Sequence, residues 1–599
     1  MNTENILDLR DAIAGLLREV HGTDDSKVID LVWGYYQMAS DGDDLIIEIE
    51  SNSYIDDEDV QLTEEQCAAL EQLGFTRPDD GMPNWWIGIE GGREEDIEAA
   101  ALATARGLVE VLGHDLPGAL AASLAWRPQR AFHVSRDRAA GLLVGTAVGD
   151  ALGAGYEFGP TLAPDAPVGM IGGGLGDFAP GEWTDDTSMA VCIAHVFNQR
   201  MDPRTAQARD AIATNFGAWL ASNPPDVGVQ TRAVMRMADA GYADDLTQAA
   251  RQYFAANPTR SAGNGALMRT APVALFDTTP LIVASVARRI AELTHADPIA
   301  GDACVIWSIA IAHAVQLENF DGVREALPYI PKERRNYWAE RLDEAETLPP
   351  ATFSKNGWTV HALQAAYAAI VQTPVPREDP ADHFRLALEN AVRVGHDTDT
   401  VAAIAGGLLG ARWGYSAIPL QWTRRLHGWP GLRAKDLKEM AAQIFPADYT
   451  VQPGLDNFFQ HPLDSGLFVG GYHAGSTPPE GIDAVVSLCR PSDADELAKG
   501  IAPDNRIEVW LSDRGYEDNP HLDHVLTEAA HMVASLRAEG LTVLIHCVSG
   551  QSRTPTVASL YAAEALGVPA AEALRALQEI HPNAQPNPTF LEIIHRHNV

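Results

Sequence analysis

Residues 138–156 read RAAGLLVGTAVGDALGAGY, and residues 400–414 read TVAAIAGGLLGARWG. Both set Ala and Gly among Leu, Val and Ile at helical spacing, as do TSMAVCIAHVF (187–197) and ACVIWSIAIAHAV (303–315). Side chains this small let helix axes approach closely, so an all-α core is expected from about Ser135 to Phe445. Outward from that core the text changes twice. The acidic stretch before Trp126 holds a helical run (Ile6 to Val20) and an alternating, strand-like LIIEIESNSY (Leu45 to Tyr54). It continues with LTEEQCAALEQLGF, where Thr63 and Gln66 have capping-box spacing, then a strand-like NWWIGIE and a helical EEDIEAAALATARGLVEVL. After the irregular FPADYTVQPG (Phe445 to Gly454), read as a linker, short strands alternate with helices. GLFVGG, AVVSLC, RIEVWL and TVLIHC are the strands and HVLTEAAHMVASLRAEG a helix, the pattern of a small α/β domain with a parallel-leaning sheet. The expected architecture is therefore multidomain: α+β over 1–126, all-α over 135–445 and α/β over 455–599. No internal repeat or low-complexity tract interrupts it.

The arithmetic agrees. A chain of 599 residues suggests roughly three to four domains. Its 82 acidic against 43 basic side chains, a net charge of −39, argue against general nucleic-acid binding and against an anionic membrane surface. Five scattered cysteines without a CxxC pair read as reduced thiols, not a disulfide framework. The N-terminal text lacks a basic n-region, and no apolar stretch is read as spanning a bilayer. A cytoplasmic location is expected.

Two short texts carry the middle domain's chemistry: GEWTDDTSM (Gly181 to Met189) and GHDTDTVAA (Gly395 to Ala403). Either alone reads as ordinary helix capping. Together they offer four carboxylates, Asp185, Asp186, Asp397 and Asp399, with neutral oxygens from Thr184 and Thr400. Were the two helix starts to converge, they would form an all-oxygen site suited to Mg²⁺ or Mn²⁺, with bridging carboxylates allowing two ions.

The stretch from Arg136 to Gly414 resembles the ADP-ribosylglycohydrolases, the family of dinitrogenase reductase-activating glycohydrolase. The matching texts, in order, are GLLVGTAVGDALGAGYE, GEWTDDTSM, SAGNGALMRTAP, LTHADP and GHDTDTVA. The resemblance implies an all-α fold around a dinuclear Mg²⁺ or Mn²⁺ centre held by Thr184, Asp185, Asp186, Asp397, Asp399 and Thr400. It implies an acidic gate at Glu157 and a loop around the ADP-ribose phosphates at Ser261, Gly263, Asn264 and Gly265. It also implies a ribose-side histidine at His295, which on residue type alone reads as structural. The implied reaction is hydrolysis of an ADP-ribosyl linkage, with arginine favoured by the GEWTDDTSM text.

In VLIHCVSGQSRTPTVASLYAAEALG (Val543 to Gly567) an apolar strand ends at Cys547 and Arg553 opens an Ala-rich helix. Loop amides at Val548, Ser549, Gly550, Gln551 and Ser552 would form an anion nest, and the helix start would favour a thiolate at Cys547. Arg553 can grip phosphate oxygens with two parallel N–H bonds. This C-x5-R loop resembles the tyrosine and dual-specificity phosphatases, from GLFVGGYHA through AVVSLCR to HPNAQPNPTF. The resemblance implies a phosphocysteine intermediate without a cofactor. It places the general acid at Asp513, with Asp518 as fallback, a thiolate-steadying hydroxyl at Thr554, and a loop-orienting role at His546.

The N-terminal text, with L-T-x-x-Q-x-x-x-L-x-x-L-G-F and Asn-Trp, resembles the YbjN/type III secretion chaperone-like domains, which implies peptide or protein binding. The expected protein is thus a two-activity enzyme acting on ADP-ribosylated protein, or ADP-ribose, and on a phosphorylated substrate. Two alternatives stand beside it: a binding protein for ADP-ribosylated or phosphorylated partners, and a phosphatase acting on a nucleotide-derived phosphate.

Overall fold

The structure is a computed structural model of the chain. It describes residues 3–597 apart from 22–25, 32–33, 42–43, 50–61, 79–81, 83, 112–131, 164, 239–240, 445–456 and 490–497. The expected linker at Phe445 to Gly454 and the second half of LIIEIESNSY lie outside the described residues.

The N-terminal domain opens with helix α1 (Thr3–Val20), followed by an antiparallel sheet in the order β1 (Ser26–Leu31), β2 (Gly34–Asp41), β3 (Asp44–Ile49), β4 (Trp85–Ile89). In β3, Leu45, Ile47 and Ile49 are buried while Asp44 is exposed, which is the period-two signature of a half-buried strand. Helix α2 (Glu64–Gln72) has its capping box: Gln66 N donates to Thr63 Oγ1 at 3.3 Å, and Thr63 N donates to Gln66 Oε1 at 2.9 Å. Helix α3 (Glu94–Arg106) packs on α1. Strands β1 and β2 were not anticipated, because SKVIDL and GYYQMASD carry too few apolar alternations to stand out. Trp85 is buried in the core and Trp86 is half-buried.

The central domain is helical. Its axis is an antiparallel pair, α4 (Phe132–Gly153) and α5 (Thr398–Trp413). Gly141, Gly145 and Gly149 of α4 face the backbone of Gly410, Gly406 and Ala402 so closely that a Cβ would overlap a carbonyl oxygen at each. A Cβ on Gly153 would stand 2.5 Å from the Asp399 Cα. Glycine every fourth residue therefore places the C-terminal end of α4 directly against the N-terminal end of α5. Helix α6 (Pro298–Leu317) corrects one expectation, since it is long and apolar enough to cross a membrane. Every side chain from Ala300 to Val315 is buried inside the bundle, so its apolarity is accounted for by the core.

The C-terminal domain carries a mixed five-stranded sheet, in spatial order β8-β7-β9-β6-β5. The strands are β5 (Phe458–Gln460), β6 (Leu467–Gly470), β7 (Ala484–Ser487), β8 (Arg506–Glu508) and β9 (Val543–His546). β9 pairs in parallel with both β6 and β7, while edge strand β5 is antiparallel to β6. Among the helices packed around it are α7 (Leu522–Ala538), α8 (Arg553–Leu566) and α9 (Pro588–Arg596). Crevices at the carboxyl ends of parallel strands are where ligands bind in such sheets, and Cys547 follows β9 at that end.

The central and C-terminal domains pack against each other. Leu420 of the central domain joins the C-terminal core, and Trp510 of the C-terminal domain packs on the central core. The Arg424 guanidinium is bidentate on Glu539 at 2.6 and 2.8 Å and also donates to Asp504 O at 2.6 Å. Lys438 pairs with Glu508, and Arg433 with Asp504. His524 Nδ1 lies 2.7 Å from Asp379 Oδ2.

Candidate active sites

The antiparallel register of α4 and α5 brings three segments of chain to one point. Asp150 lies in the last turn of α4, and Glu157 follows seven residues on. Asp397 and Asp399 begin α5. Asp185 and Asp186 open the helix Asp185–Asn198, with Thr184 as its N-cap. Two carboxylate triads result, each with oxygens within 4.8 Å of one another: Asp150, Asp186 and Asp399; and Glu157, Asp397 and Asp399. Asp399 belongs to both.

Asp150 was not anticipated as part of this group. It is fully buried and anchors the neighbouring helix start, its carboxylate accepting from Thr184 N at 2.9 and 3.1 Å and from Thr187 N at 2.9 Å. The available signal was its position in GDALGAGYE, two helical turns before Glu157. Asp185 lies outside both triads, with Oδ2 turned to the Gly228 N–H at 3.1 Å. Asp226 was also missed. From the NPPDVG segment, its charge acts on Asp185, Asp397 and Glu157.

Burial, the largest cause, pushes these carboxyls up. Asp150 is raised to about 6, against the pull of its bonds from Thr187 and Thr184. Asp185 is raised to about 7 and Glu157 to about 8, with neighbouring carboxylates adding to burial. Asp186 and Asp399 are held well above the ordinary range by burial and like charge, and Asp397 is also raised. Asp186 Oδ1 and Glu157 Oε2 are buried without a hydrogen-bond partner. Buried carboxylates that repel one another and leave oxygens unsatisfied are a donor set for a hard cation. Thr184 Oγ1 donates to Asp186 Oδ2 at 3.0 Å, and the Thr400 side chain hydrogen-bonds the Asp186 and Asp397 carboxyls, so both threonines stand beside the cluster.

The small-residue loop borders this cluster. Asn264 Nδ2 donates to Asp397 Oδ2 at 2.9 Å and to Asn356 O at 2.9 Å. A Cβ on Gly263 or Gly265 would meet the His295 ring at 3.3 and 3.1 Å, so the loop lies directly over that imidazole. Ser261 is buried, its hydroxyl donating to Asn257 O at 2.8 Å. Burial beside the Arg269 cation lowers His295 to about 3, so the ring is neutral, and its Nδ1 lies 2.7 Å from Thr294 Oγ1. Exposed apolar side chains, Phe158, Leu175 and Trp358, occur in the segments flanking Glu157 and the loop.

The second site surrounds Cys547, which is fully buried. Four successive carbonyls of its loop are held by the surrounding scaffold. Tyr472 N donates to Val548 O at 3.1 Å, Asn457 Nδ2 to Ser549 O at 2.8 Å and Gln585 N to Gln551 O at 2.7 Å, while His581 Nε2 is 3.2 Å from Gly550 O. In a trans peptide the N–H points opposite to the C=O. The amides of Ser549, Gly550, Gln551 and Ser552 are therefore turned inward, as an anion nest requires. Gly550 has φ +70, and a Cβ there would meet Gly470 O at 2.9 Å, so only glycine fits the bend.

Arg553 Nη1 donates to Leu488 O at 2.7 Å and to Leu511 O at 3.2 Å, which orients the guanidinium while its buried Nε has no hydrogen-bond partner. Asp513 Oδ2 lies 3.9 Å from that Nε. Asp513 Oδ1 accepts from Ser552 Oγ at 2.6 Å and from Asn587 Nδ2 at 3.1 Å. Asn587 is a third residue that was missed. Besides touching Asp513, it caps α9 and donates its N–H to Ser552 Oγ at 3.1 Å. Thr554 is buried, with its hydroxyl 3.5 Å from Gly470 O. His546 is lowered to about 4 by burial, and its Nε2 lies 2.7 Å from Ser487 Oγ. Asp518 lies apart from this group, exposed beside Arg514 at 3.4 Å.

Comparison with known proteins covers all three domains. A family model described as ADP-ribosylglycohydrolase matches residues 131–454. One described as dual specificity phosphatase, catalytic domain, matches residues 470–598. A third, described as T3SS (YopN, CesT) and YbjN peptide-binding chaperone 3, matches residues 8–126. The ADP-ribosyl-(dinitrogen reductase) glycohydrolase of Rhodospirillum rubrum is 30% identical over 300 residues, covering 48% of this chain and 90% of that relative. The ADP-ribosylarginine hydrolase Tri1 of Serratia proteamaculans is 27% identical over 320 residues, covering 52% of this chain and 80% of the relative. A solved structure titled ADP-ribosylglycohydrolase-related protein complex is 29% identical, with a TM-score of 0.36, and covers 52% of this chain and 98% of that one.

Proposed function

The chain belongs to the ADP-ribosylglycohydrolase family, and on that premise we propose that its central domain removes ADP-ribose from a modified arginine side chain. It is a hydrolase that also carries a cysteine-phosphatase catalytic domain. The observation that carries the first activity is the pair of triads sharing Asp399. Their oxygens would hold two divalent cations, Mg²⁺ or Mn²⁺, with Thr184 and Thr400 as neutral ligands. Bound there, such ions supply Lewis-acid polarisation of ribose oxygens and of a water.

This chain's own groups do the rest. The loop at Ser261, Gly263, Asn264 and Gly265 receives the diphosphate. Neutral His295 offers a hydrogen bond to the ribose without adding charge. Water adds to the anomeric carbon as the C–N bond to the guanidine breaks, and the departing nitrogen takes up a proton. Glu157, at the rim of the cluster, can relay a proton from the attacking water to that nitrogen through its carboxylate. The arginine preference is supported by the likeness to the Serratia proteamaculans relative, named an ADP-ribosylarginine hydrolase. Release of ADP-ribose from arginine-, serine- and nucleic-acid-linked substrates, with Mg²⁺ or Mn²⁺ present, tests the reading. Release from none of them removes it.

For the C-terminal domain we infer a two-step phosphoryl transfer. The Cys547 sulfur attacks phosphorus, Asp513 protonates the departing oxygen, and water then hydrolyses the phosphocysteine. The inward amides and the Arg553 guanidinium neutralise the equatorial oxygens. The N-terminal domain is proposed to bind a peptide or protein partner. Thiols held free at Cys192, Cys304, Cys489 and Cys547 support a cytoplasmic setting.

A further inference from the structure

The segment Trp510 to His521 carries Asp513, and both of its ends rest on the central domain. At its start, the Trp510 ring packs on the central core with its centroid 6.0 Å from that of Tyr415, tilted by 52°. At its end, His521 Nε2 lies 2.7 Å from Trp413 O, and its ring centroid is 5.8 Å from the Trp413 indole. Trp413 is itself fixed, its Nε1 donating to His383 Nδ1 at 3.1 Å. One turn further on, His524 meets Asp379.

Between those anchors the loop has its own clasp. Asn519 accepts from Ser512 N at 2.8 Å and donates to the carbonyls of Ser512, Arg514 and Gly515 at 3.0 to 3.2 Å. The loop is therefore a closed unit, held on the central domain at its two ends and on its own domain at Asp513, where Ser552 and Asn587 donate. Leu511 O also receives Arg553 Nη1, so a shift at Trp510 reaches the phosphate-binding guanidinium as well as Asp513.

We propose that the central hydrolase domain is a working part of the phosphatase: the Trp413 and Tyr415 corner holds Trp510 and His521 so that Asp513 stands over the Cys547 loop. Trp510 and His521 are positioning residues, since neither touches the reacting atoms. This inference rests on Asp513 being the general acid, and its test separates the two claims.

The full chain is compared with Trp510→Ala, His521→Ala, His521→Gln and Asp513→Asn on aryl phosphates of graded leaving-group pKa. A displaced acid slows poor leaving groups and spares those that depart without a proton. For Trp510→Ala and His521→Ala the expected loss is about tenfold or more on phenyl phosphate and under about threefold on 2,4-dinitrophenyl phosphate, a fraction of the full general-acid contribution. His521→Gln retains an N–H donor for Trp413 O and is expected to recover most of the loss. ADP-ribose release, assayed in parallel, stays within about twofold and reports an intact central domain. Asp513→Asn without leaving-group dependence overturns the acid assignment. Asp513→Asn with that dependence, but anchor variants showing equal losses on all esters or none, overturns the anchoring. A His521→Gln variant as impaired as His521→Ala removes the role given to that hydrogen bond.

Discussion

Gly145 and Gly406 meet backbone to backbone, so that a Cβ on either would overlap the carbonyl oxygen of the other. This contact sits in the middle of a glycine register whose last member, Gly153, abuts Asp399 of the candidate cation site. Separating the two helices there moves one half of the site relative to the other. Gly145→Ala and Gly406→Ala are each expected to destabilise the central domain by about 1–3 kcal/mol, the range for overpacking a close contact. They should also weaken Mn²⁺ uptake. Thermal unfolding with and without Mn²⁺ checks both; unchanged stability in both variants rejects the close approach.

Removing one oxygen donor from the shared position is a sharper test. Asp399→Asn is expected to lower cation affinity by about tenfold or more, in line with the sensitivity of metal sites to altered ligands. It should lower ADP-ribose release with it. Isothermal calorimetry with Mg²⁺ and Mn²⁺ reads the first effect. A variant binding both ions as the natural chain does would exclude Asp399 as a bridging ligand.

The titration of the cluster gives a signed pH dependence. Asp150, Asp185 and Glu157 have folded values of about 6, 7 and 8, all above ordinary carboxyl values of about 4. Between about pH 4 and 8 the cation-free fold thus holds more protons than the unfolded chain, and it loses stability as pH rises through that window. Cation binding requires the protons of the triad members Asp150 and Glu157 to leave, so the stabilisation by Mn²⁺ should grow from pH 5.5 to pH 8, roughly the span of their raised values. Melting curves across that range, with and without the ion, measure it. A stabilisation independent of pH counts against ligation by these carboxyls.

Cys547→Ser should reduce aryl phosphate hydrolysis by about a thousandfold or more, the scale seen when a nucleophile is removed. ADP-ribose release by the central domain should stay within about twofold, since the two sites use separate groups. Aryl phosphate turnover that survives the substitution would refute the thiolate mechanism.

Asn587 joins three elements at once: the α9 cap, the Ser552 hydroxyl and the Asp513 carboxylate. Asn587→Asp keeps a capping oxygen and loses the amide donor to Asp513, placing a second carboxylate beside it. Phosphatase kcat on poor leaving groups should fall with little change in melting temperature. Asn587→Ala should in addition cost about 1 kcal/mol through the lost cap. Equal activity in natural chain and Asn587→Asp would detach Asn587 from the acid.

The chain's text alone was enough to read the helical core, the Cys547 to Arg553 loop and the acidic helix starts. Each of these is written within a few residues, by side-chain period, by glycine placement or by the nucleophile's spacing from its arginine. Strands β1 and β2 escaped because short strands with polar interruptions have no such local period. Asp150 escaped because its partner Thr184 lies 34 residues away, and its one local signal, the two-turn spacing to Glu157, reads equally as helical period.

Only the tertiary structure decided which carboxylates come together, admitting Asp150 to a triad and turning Asp185 toward Gly228. It alone set Asn587 against Asp513, and Trp413 against His521 across 108 residues. The physical reason is one of range. Backbone hydrogen bonding and side-chain periodicity act over a turn or two, whereas convergence of distant groups depends on how helices cross and domains dock. That geometry is set by close packing between surfaces that no single stretch of sequence contains.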